Sequence, residues 1–123
     1  MAAVRYIVDD VDAAIPFYRD LMGFTVEMHP APGFAALSRG DLRLYLNEPG
    51  VGGAGRAGGT PAPGGWNRFQ LEVADLEELS SRLRKAGAQF RGDRVEGQGG
   101  AQILVQDPSG NVVELFEPKA RSQ

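Results

Sequence analysis

The sequence predicts an α+β fold made of two tandem modules, each with the order strand, helix and three strands (βαβββ). The same order of hydrophobic patterns occurs twice within the 123 residues. Near the start of each copy, Val8–Asp12 matches Val73–Glu77. Near the end of each copy, Leu46–Pro49 matches Leu115–Pro118. A stretch of mostly Gly, Pro and Ala at 49–65 separates the copies, and an internal duplication explains these features together.

The composition is that of one globular domain. Hydrophobic residues make up 42% of the chain and charged residues 24%, which is ordinary for a soluble protein. The net charge of −3 and the absence of a long basic run argue against nucleic acid as a partner. The lack of cysteine excludes disulfides and thiolate chemistry. No apolar stretch approaches a membrane span and the first residues do not resemble a signal peptide, so we expect a cytoplasmic protein without a membrane partner.

The helix of the first copy has signals at both ends. Asp10 or Asp12 is the expected N-cap, and apolar residues at helical spacing continue to Met22. Gly23 is the expected C-cap. We expect the regular helix to start close to Pro16, with a looser turn before it, because a proline inside a helix costs about 3 kcal/mol.

Residues 1–48 form the first predicted module and 66–118 the second, within one domain that spans 1–123 and ends in a tail at 119–123. Strands are predicted where β-branched and aromatic residues lie between turn signals. In the first module these strands and turns are Val4–Val8, Phe24–Met28, a turn at 29–33, Phe34–Leu37, a hairpin turn at Arg39–Asp41, and Leu42–Asn47. In the second they are Trp66–Val73, a helix capped by Asp75 that ends at Gly87, a short strand from Phe90, a turn at 97–100, Ala101–Gln106 and 111–117.

Residues 49–65 contain too much glycine and proline to bury much surface. They are predicted to be a flexible connector. Because a structureless segment of this length is uncommon inside a compact domain, the connector is either a lid over a site or a linker between the modules.

Two stretches on this repeat, Asp10–Phe24 and Asp107–Pro118, resemble the vicinal oxygen chelate superfamily of glyoxalase I, bleomycin-resistance proteins, extradiol dioxygenases and fosfomycin-modifying enzymes. The resemblance covers nearly the whole chain except the connector. It implies that each module curls its strands into a half-barrel with the helix outside, and that the two modules surround a cleft. It also implies a homodimer, since members with two modules commonly dimerise.

In the enzymes of that superfamily, a divalent metal is held by side chains on the first and last strands of each module. The matching positions here are Ala3, Tyr45, Arg68 and Glu114, and the internal repeat gives the same registration. Alanine offers no lone pair, arginine is a cation, and tyrosine ligates only as a phenolate. Glu114 alone keeps the character of a ligand, so we expect no metal cofactor.

Strand alternation separates the face that lines the implied cleft from the face under the helix. The side chains on the helix side are apolar throughout, which supports this division. The predicted ligand-binding residues of the cleft are Arg5, Arg43, Tyr45, Arg68, Gln70, Glu114 and Phe116.

Arg68 is hypothesised to replace the lost metal, because a buried carboxylate at Glu114 needs a partner. Its guanidinium would neutralise Glu114 or bind an anionic ligand beside it. The alternative is that both side chains are solvated on an open sheet face. His29 is the single histidine, and we expect it to be an exposed turn residue rather than a base or a metal ligand.

The leading functional hypothesis is a metal-free protein that binds a small organic molecule, in the manner of bleomycin-resistance proteins that sequester a drug. One alternative is a lyase or oxidoreductase like a glyoxalase or a dioxygenase. Another is a metal-free isomerase that uses Glu114 as its catalytic base, with Arg68 or Tyr45 stabilising an enolate.

Overall fold

The computed structural model describes residues 1–119 as two compact units. The first unit contains Met1–Gly64 together with the turn Pro108–Asn111. The second contains Gly65–Asp107 and the last strand of the chain. Nearly all of the connector therefore belongs to the first unit. The turn at the start of the stretch Asp107–Pro118 also belongs to the first unit.

Each unit contains one mixed sheet. The first consists of β1 (Val4–Ile7), β2 (Thr25–Ala31), β3 (Phe34–Arg39) and β4 (Leu42–Asn47), in the spatial order β1-β4-β3-β2. The second consists of β5 (Phe69–Glu72), β6 (Gln89–Phe90), β7 (Val95–Glu96), β8 (Gly100–Gln106) and β9 (Val112–Pro118), in the order β5-β9-β8-β6, with β7 also paired to β8.

The strand register confirms the internal duplication. β1 runs parallel to β4 and places Arg5 beside Tyr45. β5 runs parallel to β9 and places Gln70 beside Glu114, which is the equivalent pair in the repeat. The two sheets therefore share both topology and register, and the predicted α+β fold of two βαβββ modules is confirmed.

The two long helical segments begin in the same way. The Asp10 side chain accepts backbone hydrogen bonds at the start of α1 (Val11–Pro16), and Asp75 does so for α3 (Leu76–Lys85). A second carboxylate, from the end of the last strand of each module, accepts the first helical N–H. Glu48 Oε2 lies 3.0 Å from the nitrogen of Val11, and Glu117 Oε1 lies 2.8 Å from that of Leu76.

The expected effect of Pro16 was wrong. The α-helix occupies the residues before the proline, and a π-helical segment, Phe17–Leu21, follows it. Proline lacks an N–H, so one of the i→i+4 backbone hydrogen bonds of the α-helix is lost at this point. The π-helical segment that follows has i→i+5 hydrogen bonds, in which each carbonyl oxygen accepts from the residue one position further along. The prediction at Gly23 was right: its φ of +78° ends the segment in the left-handed conformation.

Other boundaries also differ from the prediction. β2 continues to Ala31, so the turn expected at 29–33 is confined to its last two residues. β5 begins only at Phe69, and Gly64 and Gly65, with positive φ values of 100° and 85°, lie a few residues before it. The short strand expected from Phe90 is two separate pieces, β6 and β7.

The connector is not entirely without structure. It contains a short exposed helix, α2 (Gly53–Arg56), which a composition dominated by glycine and proline did not predict. Its far end is fixed by the turn at 108–111, since Asn111 Oδ1 accepts the N–H of Gly64 at 2.8 Å. The Asn111 amide nitrogen donates to the carbonyl oxygen of Ile7 at 2.7 Å, and Ser109 accepts the N–H of Asp9. The turn thus joins the end of β1 to the end of the connector.

One side of each sheet is apolar and buried, as alternation predicted. α1 contacts β4, and α3 contacts β9. None of the helices within residues 1–119 has the length and apolar character needed to cross a membrane. In the first unit the buried residues include Tyr6, Ala35, Leu37, Leu44 and Leu46 from the sheet, with Val8, Val11, Ala14, Ile15 and Tyr18. In the second they are Phe69, Leu71, Ile103, Val105, Val113 and Leu115 from the sheet, with Leu76 and Leu83.

Candidate ligand-binding faces

The candidate residues lie on the polar side of each sheet. Residues that pair across neighbouring strands point to the same side, so the registers define two faces. The module 1 face includes Arg5, Ile7, Phe34, Ala36, Ser38, Arg43, Tyr45 and Asn47. The module 2 face includes Gln70, Glu72, Gln102, Leu104, Gln106, Val112, Glu114 and Phe116, together with Arg68 just before β5.

The module 2 face is centred on Glu114. Arg68 Nε lies 2.9 Å from one carboxylate oxygen, and Gln70 Nε2 lies 2.7 Å from the other. The side chain of Glu114 is only 12% exposed and that of Arg68 is 33% exposed. The ion pair expected between these two residues is therefore present, and the alternative of two separately solvated side chains was wrong.

A second arginine on this unit was missed from the sequence. The Arg91 guanidinium lies over the ring of Trp66, 4.5 Å from its centroid, and its Nε donates to Gln106 Oε1 at 2.6 Å. Arg91 also donates to the carbonyl oxygen of Gly65, and Arg68 donates to that of Trp66. These contacts hold an indole that is 65% exposed.

The module 1 face is centred on Tyr45. The Arg5 guanidinium lies over the Tyr45 ring, 5.3 Å from its centroid, and Phe34 packs beside the same ring at 5.9 Å. Arg5 Nη1 donates to Asn47 Oδ1 at 2.8 Å. The Asn47 amide nitrogen donates to the carbonyl oxygen of Val51 at 2.7 Å, so this 2% exposed amide supports Arg5 from below.

Asn47 was not among the predicted site residues. Alternation does place it on the same face as Tyr45, but a polar residue at the end of a strand is ordinarily part of a turn. Its burial and its contact with Arg5 depend on the following loop folding back over it. The sequence therefore predicts the face on which Asn47 lies, but it does not predict the contact of Asn47 with Arg5.

The remaining predicted residues are less connected. Arg43 is exposed and pairs across the strands with Ser38. Phe116 is half-buried, opposite Gln102. His29 lies in β2 rather than in a turn, and its Nε2 is 3.5 Å from Asp12 Oδ1. The structure thus brings together Arg68, Gln70 and Glu114 on one face, and Arg5 and Tyr45 on the other.

The residues at the implied metal positions do not fit a divalent cation. Among residues 1–119, no group of three or more His, Asp or Glu side chains could hold a metal. Each oxygen of Glu114 already accepts a hydrogen bond, one of them from a cationic guanidinium. Ala3 supplies no donor atom, and the ring of Tyr45 lies under the Arg5 guanidinium. A divalent cation needs several convergent oxygen or nitrogen ligands, and these groups do not provide them.

Comparison with known proteins agrees with the resemblance drawn from the sequence. Residues 1–115 match the family model of the Glyoxalase/Bleomycin resistance protein/Dioxygenase superfamily. A bleomycin resistance protein from Geobacillus stearothermophilus is 28% identical, over 89% of this chain and 90% of the relative.

Solved structures share the fold. A lactoylglutathione lyase from Agrobacterium tumefaciens superposes with a TM-score of 0.73 at 22% identity, covering 95% of this chain and 92% of that one. A fosfomycin resistance protein from Listeria monocytogenes gives 0.75 at 16% identity, covering 97% and 93%. Similarity at these identities supports the fold alone.

Proposed function

Because this chain belongs to the Glyoxalase/Bleomycin resistance protein/Dioxygenase superfamily, we propose that it is a metal-free member that binds a small organic molecule. The observation that carries this proposal is the bonding of Glu114. At a position where the metalloenzymes of the superfamily are expected to carry a ligand, its carboxylate is bonded to Arg68 and Gln70. The cationic Arg68 takes the place that a metal ion would take.

Several features support binding of a small molecule. The faces combine flat aromatic rings with arginine and amide donors, which is the usual composition of a ligand site. Trp66 is exposed yet held by Arg91, so its indole is available without a large loss of conformational freedom on binding. The relative from Geobacillus stearothermophilus, whose name says that it confers resistance to bleomycin, aligns over most of both chains.

Elemental analysis tests the metal-free part of the proposal. The protein is purified without chelator, and its content of Fe, Ni, Zn and Mn is measured. We expect substoichiometric amounts and no rise in melting temperature when these metals are added. A stoichiometric metal that is lost in Glu114→Gln would overturn the proposal. The matched control is Glu78→Gln, at an exposed carboxylate on α3.

Binding itself is tested by native mass spectrometry of the purified protein and by calorimetry with a panel of small aromatic and carbonyl compounds. We expect at least one class to bind at one equivalent per chain, and no turnover. Absence of binding across the panel would contradict the proposal. Light scattering on the same sample tests the predicted homodimer.

Catalysis with Glu114 as a base has less support. Both of its oxygens already accept hydrogen bonds, so taking a proton from a substrate would require at least one contact to be broken or shared. A screen of carbonyl compounds and aromatic acids tests this alternative. Turnover by the wild type that disappears in Glu114→Gln would establish it in place of simple binding.

A further inference from the structure

We propose that the module 1 face binds an organic anion, and that Arg5 is the residue that holds the negative group of this ligand. The inference rests on the proposed function and adds the chemical class of the ligand to it. Its starting point is a difference in charge compensation between two arginines that both lie on the predicted ligand-binding faces.

Arg68 is neutralised within its own unit. Its guanidinium donates to Glu114 and to the carbonyl oxygen of Trp66. An arginine whose charge is already balanced by a carboxylate gains little from a second anion, because that anion must compete with the existing pair.

Arg5 has no such partner. Its contacts are an amide oxygen, Asn47 Oδ1, and the face of the Tyr45 ring. Within the described residues 1–119, no carboxylate lies within salt-bridge distance of its guanidinium. The neighbouring Arg43 is a second cation on the same face. Arg5 therefore carries a positive charge that no neighbouring carboxylate balances, whereas the charge of Arg68 is balanced by Glu114.

The guanidinium of Arg5 is also held in position. The amide of Asn47 fixes one of its nitrogens, and this amide is itself fixed by the carbonyl oxygens of Val51 and Glu48. The remaining N–H groups of the guanidinium form a planar fork that suits the two oxygens of a carboxylate. Because Arg5 is exposed, binding there requires little further burial of charge.

The surroundings of Arg5 indicate the body of the ligand. Tyr45 lies under the guanidinium, and Phe34 packs beside Tyr45. Ala36, which pairs with Tyr45 across the strands, adds a small apolar side chain at the same level. A flat apolar group attached to a carboxylate would contact the rings while its oxygens reach Arg5. The ligand class that fits is an aromatic carboxylate.

The experiment compares three probes of the same shape and different charge: naphthalene carboxylate, naphthylmethanol and naphthylmethylammonium. Calorimetry near neutral pH measures each against the wild type. We expect the carboxylate to bind about tenfold or more tightly than the ammonium, since a hydrogen bond to a charged group is worth that difference. Added salt should weaken binding of the carboxylate and leave that of the alcohol unchanged.

Arg5→Gln removes the charge and keeps a hydrogen-bonding side chain. We expect it to lower the affinity for the carboxylate about tenfold or more, and to change that for the alcohol by less than about threefold. Arg5→Lys should retain part of the preference, because it keeps the charge without the planar fork. Arg19→Gln is the matched control, at an exposed arginine paired with Asp20, and it should change neither.

The outcomes separate this inference from the proposed function. If the probes bind equally well and without salt dependence, the module 1 face is not an anion site, whereas small-molecule binding stands. The same holds if Arg5→Gln weakens all three probes equally. If none of the probes binds, and the wider panel does not bind either, both proposals fail. The salt dependence of the wild type decides the question even if Arg5→Gln does not fold.

Discussion

At equivalent places in the two sheets, Tyr45 lies beside Arg5 in one module and Glu114 lies beside Gln70 in the other. The third strand of each face adds Ala36 opposite Tyr45 and Leu104 opposite Glu114. The backbone pairing is the same, but the first centre is an aromatic ring under a cation and the second is a carboxylate bonded by two donors.

The duplicated framework and the side chains on the two faces have diverged to different extents. Both modules keep an aspartate N-cap and a glutamate that closes the helix start, since these groups satisfy backbone N–H donors that any such helix exposes. The residues on the faces do not serve the helix starts. They are free to differ, and their difference leaves Arg5 of module 1 on an aromatic ring and an amide, whereas Arg68 of module 2 is paired with Glu114.

The largest effect is expected at Asn47, which supports Arg5 and has Phe116 as its counterpart in the other module. Asn47→Ala should destabilise the protein by about 2–4 kcal/mol, because it leaves buried carbonyl oxygens and Arg5 without their donor or acceptor. Chemical denaturation measures the change. Asn67→Ala, at an exposed asparagine, is the control. Equal losses in the two variants would show that the amide does not hold this face together.

The next effect is expected at the ion pair of module 2. Arg68→Ala should cost about 1–3 kcal/mol, since it leaves the mostly buried carboxylate of Glu114 without its cation. In the background of Glu114→Gln the same change should cost much less, because the uncompensated charge is gone. Arg19→Ala, at an exposed pair, should have a much smaller effect than Arg68→Ala. If the two backgrounds gave the same cost, Arg68 would not act through Glu114.

A smaller and equal effect is expected where the modules are alike. Glu48→Ala and Glu117→Ala each remove a carboxylate that accepts the first helical N–H. Each should cost about 1 kcal/mol, the usual value of a lost helix cap. Thermal unfolding of both variants gives the comparison. A large difference between them would mean that the modules are less equivalent in stability than their registers suggest.

The smallest effect is expected from the exposed pair of module 1. A hydrogen bond from Arg19 lowers the pKa of Asp20 below the ordinary value of 3.8. Because the folded pKa is depressed, the contribution of this pair to stability is present above the unfolded pKa and is lost as the pH falls through the folded one. Asp20→Asn should therefore reduce the acid sensitivity slightly, as measured by unfolding between about pH 5 and 2. A larger acid sensitivity in the variant would contradict this.

Much of this architecture could be predicted from residue patterns. Alternation along β1, β4, β5 and β9 separated the buried side from the polar side, because side-chain direction in a strand follows position alone. The resemblance and the repeat then placed Arg68 near Glu114, and the cost of an unpaired buried carboxylate made their pairing one of two expectations, which the structure bears out.

Other features could not be predicted. These are the π-helical segment after Pro16, the late start of β5 and the positive φ values of Gly64 and Gly65 before it. Proline and glycine at these positions predict that regular structure is interrupted, but they do not predict which backbone conformation replaces it. Arg91 was missed because its contact with Trp66 joins a residue just after the connector to a residue just after β6. No periodic pattern in the sequence relates these two positions.

The sequence by itself determined the two-module α+β fold, because the repeat, the hydrophobic periodicity and the residue types can be read directly from the chain, and the resemblance of its motifs indicated the family that the family model shows. Only the tertiary structure decided which charges are balanced. It gave Glu114 two donors and left Arg5 on an aromatic ring and an amide. The balance of charge depends on distances between side chains far apart in the chain, and those distances exist only after folding.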